Sequence, residues 1–168
     1  MENPMREIRI EKVTLNIGSG KNVDALEKAI KLLQKITGAK PVKRVAKKRI
    51  PAWDIRPGVP IACIVTLRGK KARQVLGLLL DAKDRMLDAK NFDNGTFSFG
   101  IPEYIEIPGM KYDPELGIIG LEVAVTLERR GFRVKRRKLR KRRIGKRHRI
   151  TKEETIAFAE KELGVRIK

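Results

Sequence analysis

Residues 129–149 hold fourteen lysine or arginine residues and no acidic residue, and this basic tract limits what the chain can fold into. Like charges at that density repel one another, so the tract cannot form a compact structure by itself. We expect it to become ordered against phosphates. The sequence therefore predicts a folded core in residues 1–128 and an extension in residues 129–168 that packs on the same domain.

The whole chain carries a formal net charge of +20, from 40 basic and 20 acidic residues. Self-repulsion of this size opposes folding unless a polyanion neutralises it, which indicates a nucleic acid, an anionic membrane or an acidic protein as the partner. A membrane is the weakest of these, because the sequence has no run of about 18 apolar residues. The start of the chain also lacks the features of a signal peptide. We expect a soluble cytoplasmic protein.

Alternating apolar and polar residues predict four or five strands. In Lys12–Gly18, the apolar residues Val13, Leu15 and Ile17 share one face, and polar residues share the other. Further strands are expected at Ile61–Arg68, Thr96–Ile101, Tyr104–Ile107 and Leu121–Glu128.

Two long helices are predicted, at Asp24–Thr37 and Lys70–Ala89, from apolar residues spaced three or four apart. Asn22 is the expected N-cap of the first helix, and Gly38 is expected to end it. A capping-box sequence at residues 151–154 predicts a short C-terminal helix.

Two helices cover only one face of a small sheet. The predicted fold is therefore α+β: an antiparallel sheet with two long helices packed on one face, an open polar face, a basic C-terminal segment and a short C-terminal helix. The open face should carry Thr14, Asn16, Thr66, Arg68 and Thr126. These groups suit hydrogen bonds to sugars, phosphates and base edges. Pattern alone also allows an ordinary solvated face, and the charge favours RNA.

A second basic segment, Lys40–Arg56, has seven basic residues and one acid. Because it also contains Pro51 and Trp53, we interpret it as a long loop with an aromatic side chain near its tip.

The sequence argues against an enzyme and predicts no cofactor. His148 has no nearby carboxylate to orient it as a general base, and Cys63 lies in a strand-like apolar segment, where a buried structural role is expected. Residues 18–21 lack the full spacing of a phosphate-binding loop. No catalytic, cofactor-binding or metal-binding residues are assigned.

Four segments resemble the ribosomal L-five family, which binds 5S rRNA in the central protuberance of the large subunit: KVTLNIGSG, LLQKITGAKPV, IRPGVPIACIVTLRG and FSFGIPEYIEIPGMKYDPELGIIGLEVAVTLERRG. Their order is that of the family over nearly the whole chain. The segment IGKRHRITKEETIAFAEKELGV is similar to the archaeal form. Where bacterial members commonly carry Gln this chain has Ala39, so contacts do not transfer residue by residue.

The resemblance implies a structural protein that attaches 5S rRNA and contacts the peptidyl-site tRNA. The implied 5S rRNA-binding residues are Thr14, Asn16, Lys40, Arg44, Thr66 and Arg68. The loop implied to contact tRNA contributes Lys47, Lys48, Arg49 and Trp53. The loop implied to face a small-subunit head protein contributes Met110, Lys111 and Tyr112. The L-eighteen family protein is an implied neighbour on the same RNA.

The basic tract is expected to contact phosphates of large-subunit rRNA through Arg133, Lys135, Arg136, Arg137, Arg140, Arg142, Arg143, Lys146 and Arg147. Two other functions are open to a chain of this charge. One is an RNA chaperone or ribosome-assembly factor that binds RNA transiently. The other is a DNA-compacting protein, which is disfavoured because no groove-entering helix is evident.

Overall fold

The main sheet has six strands, each antiparallel to its neighbours, in the order β2-β3-β1-β7-β6-β5. It is seen in a computed structural model that describes residues 3–168. Its strands are β1 (Ile8–Gly18), β2 (Val42–Val45), β3 (Pro60–Leu67), β5 (Phe92–Asp93), β6 (Thr96–Ile101) and β7 (Leu121–Arg129). A second, parallel pair joins β4 (Met86–Leu87) to β8 (Arg166–Ile167).

The helices are α1 (Val23–Thr37), α2 (Gly69–Asp81), α3 (Arg133–Arg136) and α4 (Lys152–Leu163). The α1 caps are the predicted ones: the Asn22 side chain accepts from the Ala25 amide at 3.1 Å, and Gly38 takes the left-handed conformation at φ 57°. The capping box of α4 also forms, between Thr151 and Glu154. Among residues 3–168, no helix combines the length and apolarity needed to cross a membrane.

The core lies between the sheet and the two long helices. Val13 and Leu15 of β1 are fully buried, and the fully buried Leu33 of α1 and Leu76 of α2 belong to the same apolar cluster. The other face of the sheet is more exposed, and there Ile64 and the 60%-exposed Val42 lie among polar side chains. The predicted α+β architecture is therefore confirmed, with both long helices on one face.

Three predicted elements are corrected by the structure. The second helix ends at Asp81 instead of Ala89, because Asp84 and Arg85 have positive φ values of 51° and 54° and turn the chain. Residues 86–87 then form a strand that pairs with the C-terminal strand.

Tyr104–Glu106 is a 3₁₀ turn rather than a strand. The side chain of Tyr104 is fully buried, and its hydroxyl accepts from the Asp113 amide at 2.9 Å. This local anchor holds the turn, whereas Pro102 interrupts the strand before it.

Part of the second basic segment is a strand. Val42–Val45 forms the edge strand β2, paired with β3, where the sequence predicts a loop. The first strand is also longer than predicted: it begins at Ile8 and has an irregularity between Ile10 and Lys12.

Arg129 connects the end of β7 to the N-terminal segment and to α4. Its side chain is only 4% exposed and donates to the Arg6 carbonyl at 2.9 Å, to the Arg149 carbonyl at 3.1 Å and to the Glu154 carboxylate at 2.7 Å. A buried guanidinium with these partners fixes the position at which the basic tract leaves the sheet.

Replacing Arg129 should therefore destabilise the fold. We expect Arg129→Ala to lower the free energy of unfolding by about 3 kcal/mol, because Glu154 and two carbonyl groups lose their partner. Urea denaturation of the purified chain measures this. The control is Arg130→Ala, whose side chain is 54% exposed and lies 3.6 Å from Glu7, and which should cost less than about 1 kcal/mol. Equal losses for the two variants would contradict the anchoring role.

Candidate nucleic-acid interface

The open face of the sheet brings three predicted residues together. Thr14 of β1 is the ladder partner of Thr66 in β3, and Asn16 lies two residues further along β1 on the same side. Thr66 is exposed, and Thr14 and Asn16 are half-buried. Val13 and Leu15, between them in sequence, point into the core. Two hydroxyls and an amide thus form a small polar patch at the centre of the sheet.

Glu122 belongs to this patch and is not among the residues predicted from the sequence. Its carboxylate accepts from the Asn16 amide at 3.0 Å, and the two residues are ladder partners between β1 and β7. A carboxylate repels phosphate but accepts from base amino groups and ribose hydroxyls. The alternation in β7 could have predicted this position, because it places Glu122 on the same face as Thr126.

The β6 side of the open face carries mostly small side chains. Ser98 and Gly100 of β6 lie opposite Ala124 and Glu122 of β7, and all four are exposed. The aromatic residues of β6 point the other way, into the core. Small side chains allow a sugar–phosphate chain to approach the sheet closely, so this surface suits hydrogen bonding rather than base stacking.

Three predicted cations flank the patch. Arg68 immediately follows β3 at the N-cap position of α2. Arg44 lies on the edge strand β2 opposite Ala62, and Lys40 precedes that strand. All three cations are exposed, and within residues 3–168 none of them forms an ion pair. They are therefore available to an anionic partner.

The segment between β2 and β3 is a projecting loop with a fixed base. The Ala46 amide donates to the Val59 carbonyl at 2.8 Å, and the Gly58 amide donates to the Ala46 carbonyl at 2.9 Å. Ile55 is 5% exposed and pairs with Ile50. These contacts fix the base of the loop.

Most charged groups at the tip of this loop face solvent. Trp53 is 68% exposed, and the predicted contacts Lys47, Lys48 and Arg49 are exposed as well. Next to Trp53, Asp54 forms an ion pair with Lys21 at 2.5 Å, and the hydrogen bond from Lys21 lowers the pKa of the Asp54 carboxyl. An aromatic ring beside cations is a suitable surface for nucleic acid.

The basic tract begins against one end of the open face. Phe132 and Ile150, on either side of most of its cations, are 6% and 4% exposed. Arg136 forms ion pairs with Glu11 of β1 and Glu128 of β7, and Arg9 reaches Glu128 at 2.6 Å. The tract is therefore attached to the sheet by apolar burial and by two carboxylates.

Glu128 is at the centre of this attachment, with 8% of its surface exposed. Burial raises the pKa of the Glu128 carboxyl, but the hydrogen bonds from Arg136 and Arg9 outweigh burial and leave the pKa below its usual value. The carboxylate is thus held ionised among cations.

The predicted phosphate contacts divide into two groups. Arg136 is occupied by carboxylates, and Arg137 donates to the Arg140 carbonyl at 2.9 Å. The other predicted residues are exposed and, within residues 3–168, form no ion pair: Arg133, Lys135, Arg140, Arg142, Arg143, Lys146 and Arg147.

The loop predicted to face the small subunit lies between β6 and β7. Tyr112 is 57% exposed, Lys111 is exposed and Met110 is half-buried. The neighbouring Asp113 is held by the buried Tyr104 and by an ion pair with Lys35 at 3.2 Å. The loop thus presents an aromatic ring and a cation from a fixed position.

The remaining chemistry-bearing residues have structural surroundings. Cys63 is fully buried, and burial raises the pKa of its thiol to about 11. The His148 ring lies 2.9 Å from the Arg130 carbonyl and packs edge-on against Phe132. Within residues 3–168, no group of three His, Cys, Asp or Glu side chains could hold a metal ion.

Comparison with known proteins identifies similar sequences over the whole chain. The family model described as ribosomal protein L5 matches residues 3–56, and the model for the C-terminus of that family matches residues 60–158. A protein of Nanoarchaeum equitans named large ribosomal subunit protein uL5 is 59% identical, covering 99% of each chain. Proteins of the same name from Sulfurisphaera tokodaii and Nitrosopumilus maritimus are 50% and 45% identical, covering 98% and 99% of this chain and 94% and 96% of theirs.

The ion pairs of Glu128 predict a pH-dependent stability. Because its pKa is lowered on folding, its contribution is present above its ordinary value of 4.5 and is lost as the pH falls through the folded value. Wild type should be more stable than Glu128→Gln by about 1–2 kcal/mol at neutral pH. Urea denaturation at a series of pH values should show this gap closing in acid. A gap that stays constant would mean that Glu128 is not held ionised by its arginine partners.

Proposed function

The chain belongs to the ribosomal protein L5 family, and on that premise we propose that it attaches 5S rRNA in the central protuberance and contacts the peptidyl-site tRNA. Family membership makes it a structural, non-enzymatic component of the large ribosomal subunit that binds rRNA. Its place is on the ribosome in the cytoplasm.

The observation that carries the 5S rRNA proposal is the open face of the sheet. Thr14, Asn16, Thr66 and Glu122 form a contiguous patch of donors and acceptors, next to Arg68, which forms no ion pair within residues 3–168. Such a patch can bond ribose hydroxyls and base edges, while an arginine can fork onto a phosphate or a guanine.

The tRNA proposal rests on the loop between β2 and β3. It presents Lys47, Lys48, Arg49 and Trp53 from a base fixed by backbone hydrogen bonds. Such a loop can contact a second RNA while the sheet face is occupied, because cations, aromatic rings and the fixed base of the loop suit contact with a nucleic acid backbone.

The exposed cations of the basic tract would contact phosphates of large-subunit rRNA. The loop carrying Met110, Lys111 and Tyr112 would face a small-subunit head protein, and an L-eighteen family protein would share the 5S rRNA. In this proposal residues 1–128 are the RNA-binding core, and residues 129–168 are an extension on the same domain.

The same positive charge would also suit an RNA chaperone or assembly factor that binds RNA transiently, and this is the alternative function. Membership in a family of large-subunit proteins favours a permanent constituent. Purified protein should still bind 5S rRNA at physiological salt, whereas its binding to a tRNA at the same concentration should no longer be detected. Equal binding to both, fading together as salt rises, would favour the chaperone.

Arg68 provides the test of the open face. We expect Arg68→Ala to weaken 5S rRNA binding by about 1–3 kcal/mol, because its guanidinium is exposed and borders the polar patch. Filter binding at several salt concentrations measures the affinity and the salt dependence. The control is Arg166→Ala, which removes the same charge from the exposed side of β8. Equal effects of the two substitutions would indicate a generic polycation.

The loop is tested by Lys47→Gln combined with Lys48→Gln. Both side chains are exposed, so the fold should persist, whereas deleting the loop would remove the buried Ile55. We expect 5S rRNA binding to be kept and tRNA retention by assembled ribosomes to fall several-fold.

The matched control is Lys28→Gln combined with Lys31→Gln, at exposed positions of α1. Loss of 5S rRNA binding in the loop variant would make the loop part of the 5S site. Unchanged tRNA retention would exclude the tRNA contact.

A further inference from the structure

A cleft of about 370 Å³ lies where the basic tract meets the edge of the sheet. One side is formed by the hydroxyl-bearing residues Thr96 of β6 and Thr126 of β7, which are ladder partners. The tract forms the other side. The cleft is therefore built by two parts of the chain that are distant in sequence, and it exists only because the tract is attached to the sheet.

The charge lining the cleft has one sign. Lys135, Arg143 and Arg149 line it, and no acidic residue does. The side chains of Arg143 and Arg149 are exposed and, within residues 3–168, form no ion pair or hydrogen bond. Lys135 lies over the Phe132 ring at 4.6 Å. Two guanidinium groups are thus free at the cleft.

A larger groove of about 1110 Å³ gives a useful contrast. It is lined by residues of α2 and α4, among them Arg73 and Glu162, which form an ion pair at 2.7 Å. Three carboxylates, those of Glu7, Glu154 and Glu162, offset part of the charge of the five cations that line it. The cleft beside the tract differs because its positive charge is unbalanced.

The inner surface of the cleft is apolar. Ile150 is 4% exposed, and Ile144 is half-buried beside it. An apolar floor with cations and hydroxyls at its border suits a flat, partly polar group attached to an anion. An unstacked nucleotide has this composition: its base has an apolar face and polar edges, and its phosphate is negative.

We propose that the cleft binds one unstacked nucleotide of ribosomal RNA, with the base against Ile144 and Ile150 and its phosphate on Arg143 and Arg149. The hydroxyls of Thr96 and Thr126 face the polar edge of the base. This inference rests on the proposed RNA-binding function and goes beyond it. It gives the tract a binding site for a base. Dispersed phosphate contacts would respond only to the charge of the RNA.

The test compares two short RNA hairpins. One has a single bulged adenosine, and the other has an abasic residue at the same position, so their phosphates are equal in number. Fluorescence anisotropy at one fixed salt concentration gives the affinities. Wild type should prefer the bulged adenosine about tenfold, the usual scale for one stacked base.

Two neighbouring arginines provide matched variants. Arg143→Gln changes a residue of the cleft, whereas Arg142→Gln removes the same charge from an exposed residue outside it. Arg143→Gln should lose most of the preference for the bulged adenosine. Arg142→Gln should bind both hairpins more weakly and keep the preference.

Equal affinity of wild type for the two hairpins would overturn the proposal, and so would equal loss of preference in the two variants. Failure of either hairpin to bind would also overturn it. None of these results bears on 5S rRNA binding by the open face, which the Arg68 variant tests separately.

Discussion

The attachment of the basic tract to the sheet is the interaction on which the rest of the structure depends. Glu128 accepts from Arg9 and Arg136, and Arg129 reaches Glu154 from a buried position. These carboxylates lie close to the point where the run of like charges begins. Without them the self-repulsion of the tract would act directly on the end of β7. With them, the first turn of the tract is part of the folded domain, and the remaining cations project from it.

The one-sided covering of the sheet follows from the composition of the core. With few aromatic side chains, the core is formed mainly by aliphatic residues such as Val13, Leu15 and Leu33, which two helices suffice to cover on one face. The second face receives no apolar cover, so it must be polar to remain stable in water. A surface that is left open for a structural reason is thereby suited to hydrogen bonding with RNA.

The sequence predicted what depends on local patterns. Alternation placed Thr14, Asn16 and Thr66 on the open face, and cap residues set both ends of α1 correctly. It was wrong where distant contacts decide: residues 86–87 pair with the C-terminal strand, and Tyr104 is fixed by Asp113. The same limit applies to the candidate site. The pairing of Arg136 with Glu11 joins residues 125 apart, and no local pattern indicates it.

The number of cations available to RNA is consequently smaller than the composition suggests. The tract has fourteen basic residues, but Arg129, Arg130 and Arg136 are paired with carboxylates of the same chain. Only cations that face solvent can replace counterions on RNA, and these set the salt dependence. The paired arginines hold the others in place. Affinity should therefore depend on the arrangement of the exposed cations, which the internal pairs determine, rather than on the total charge.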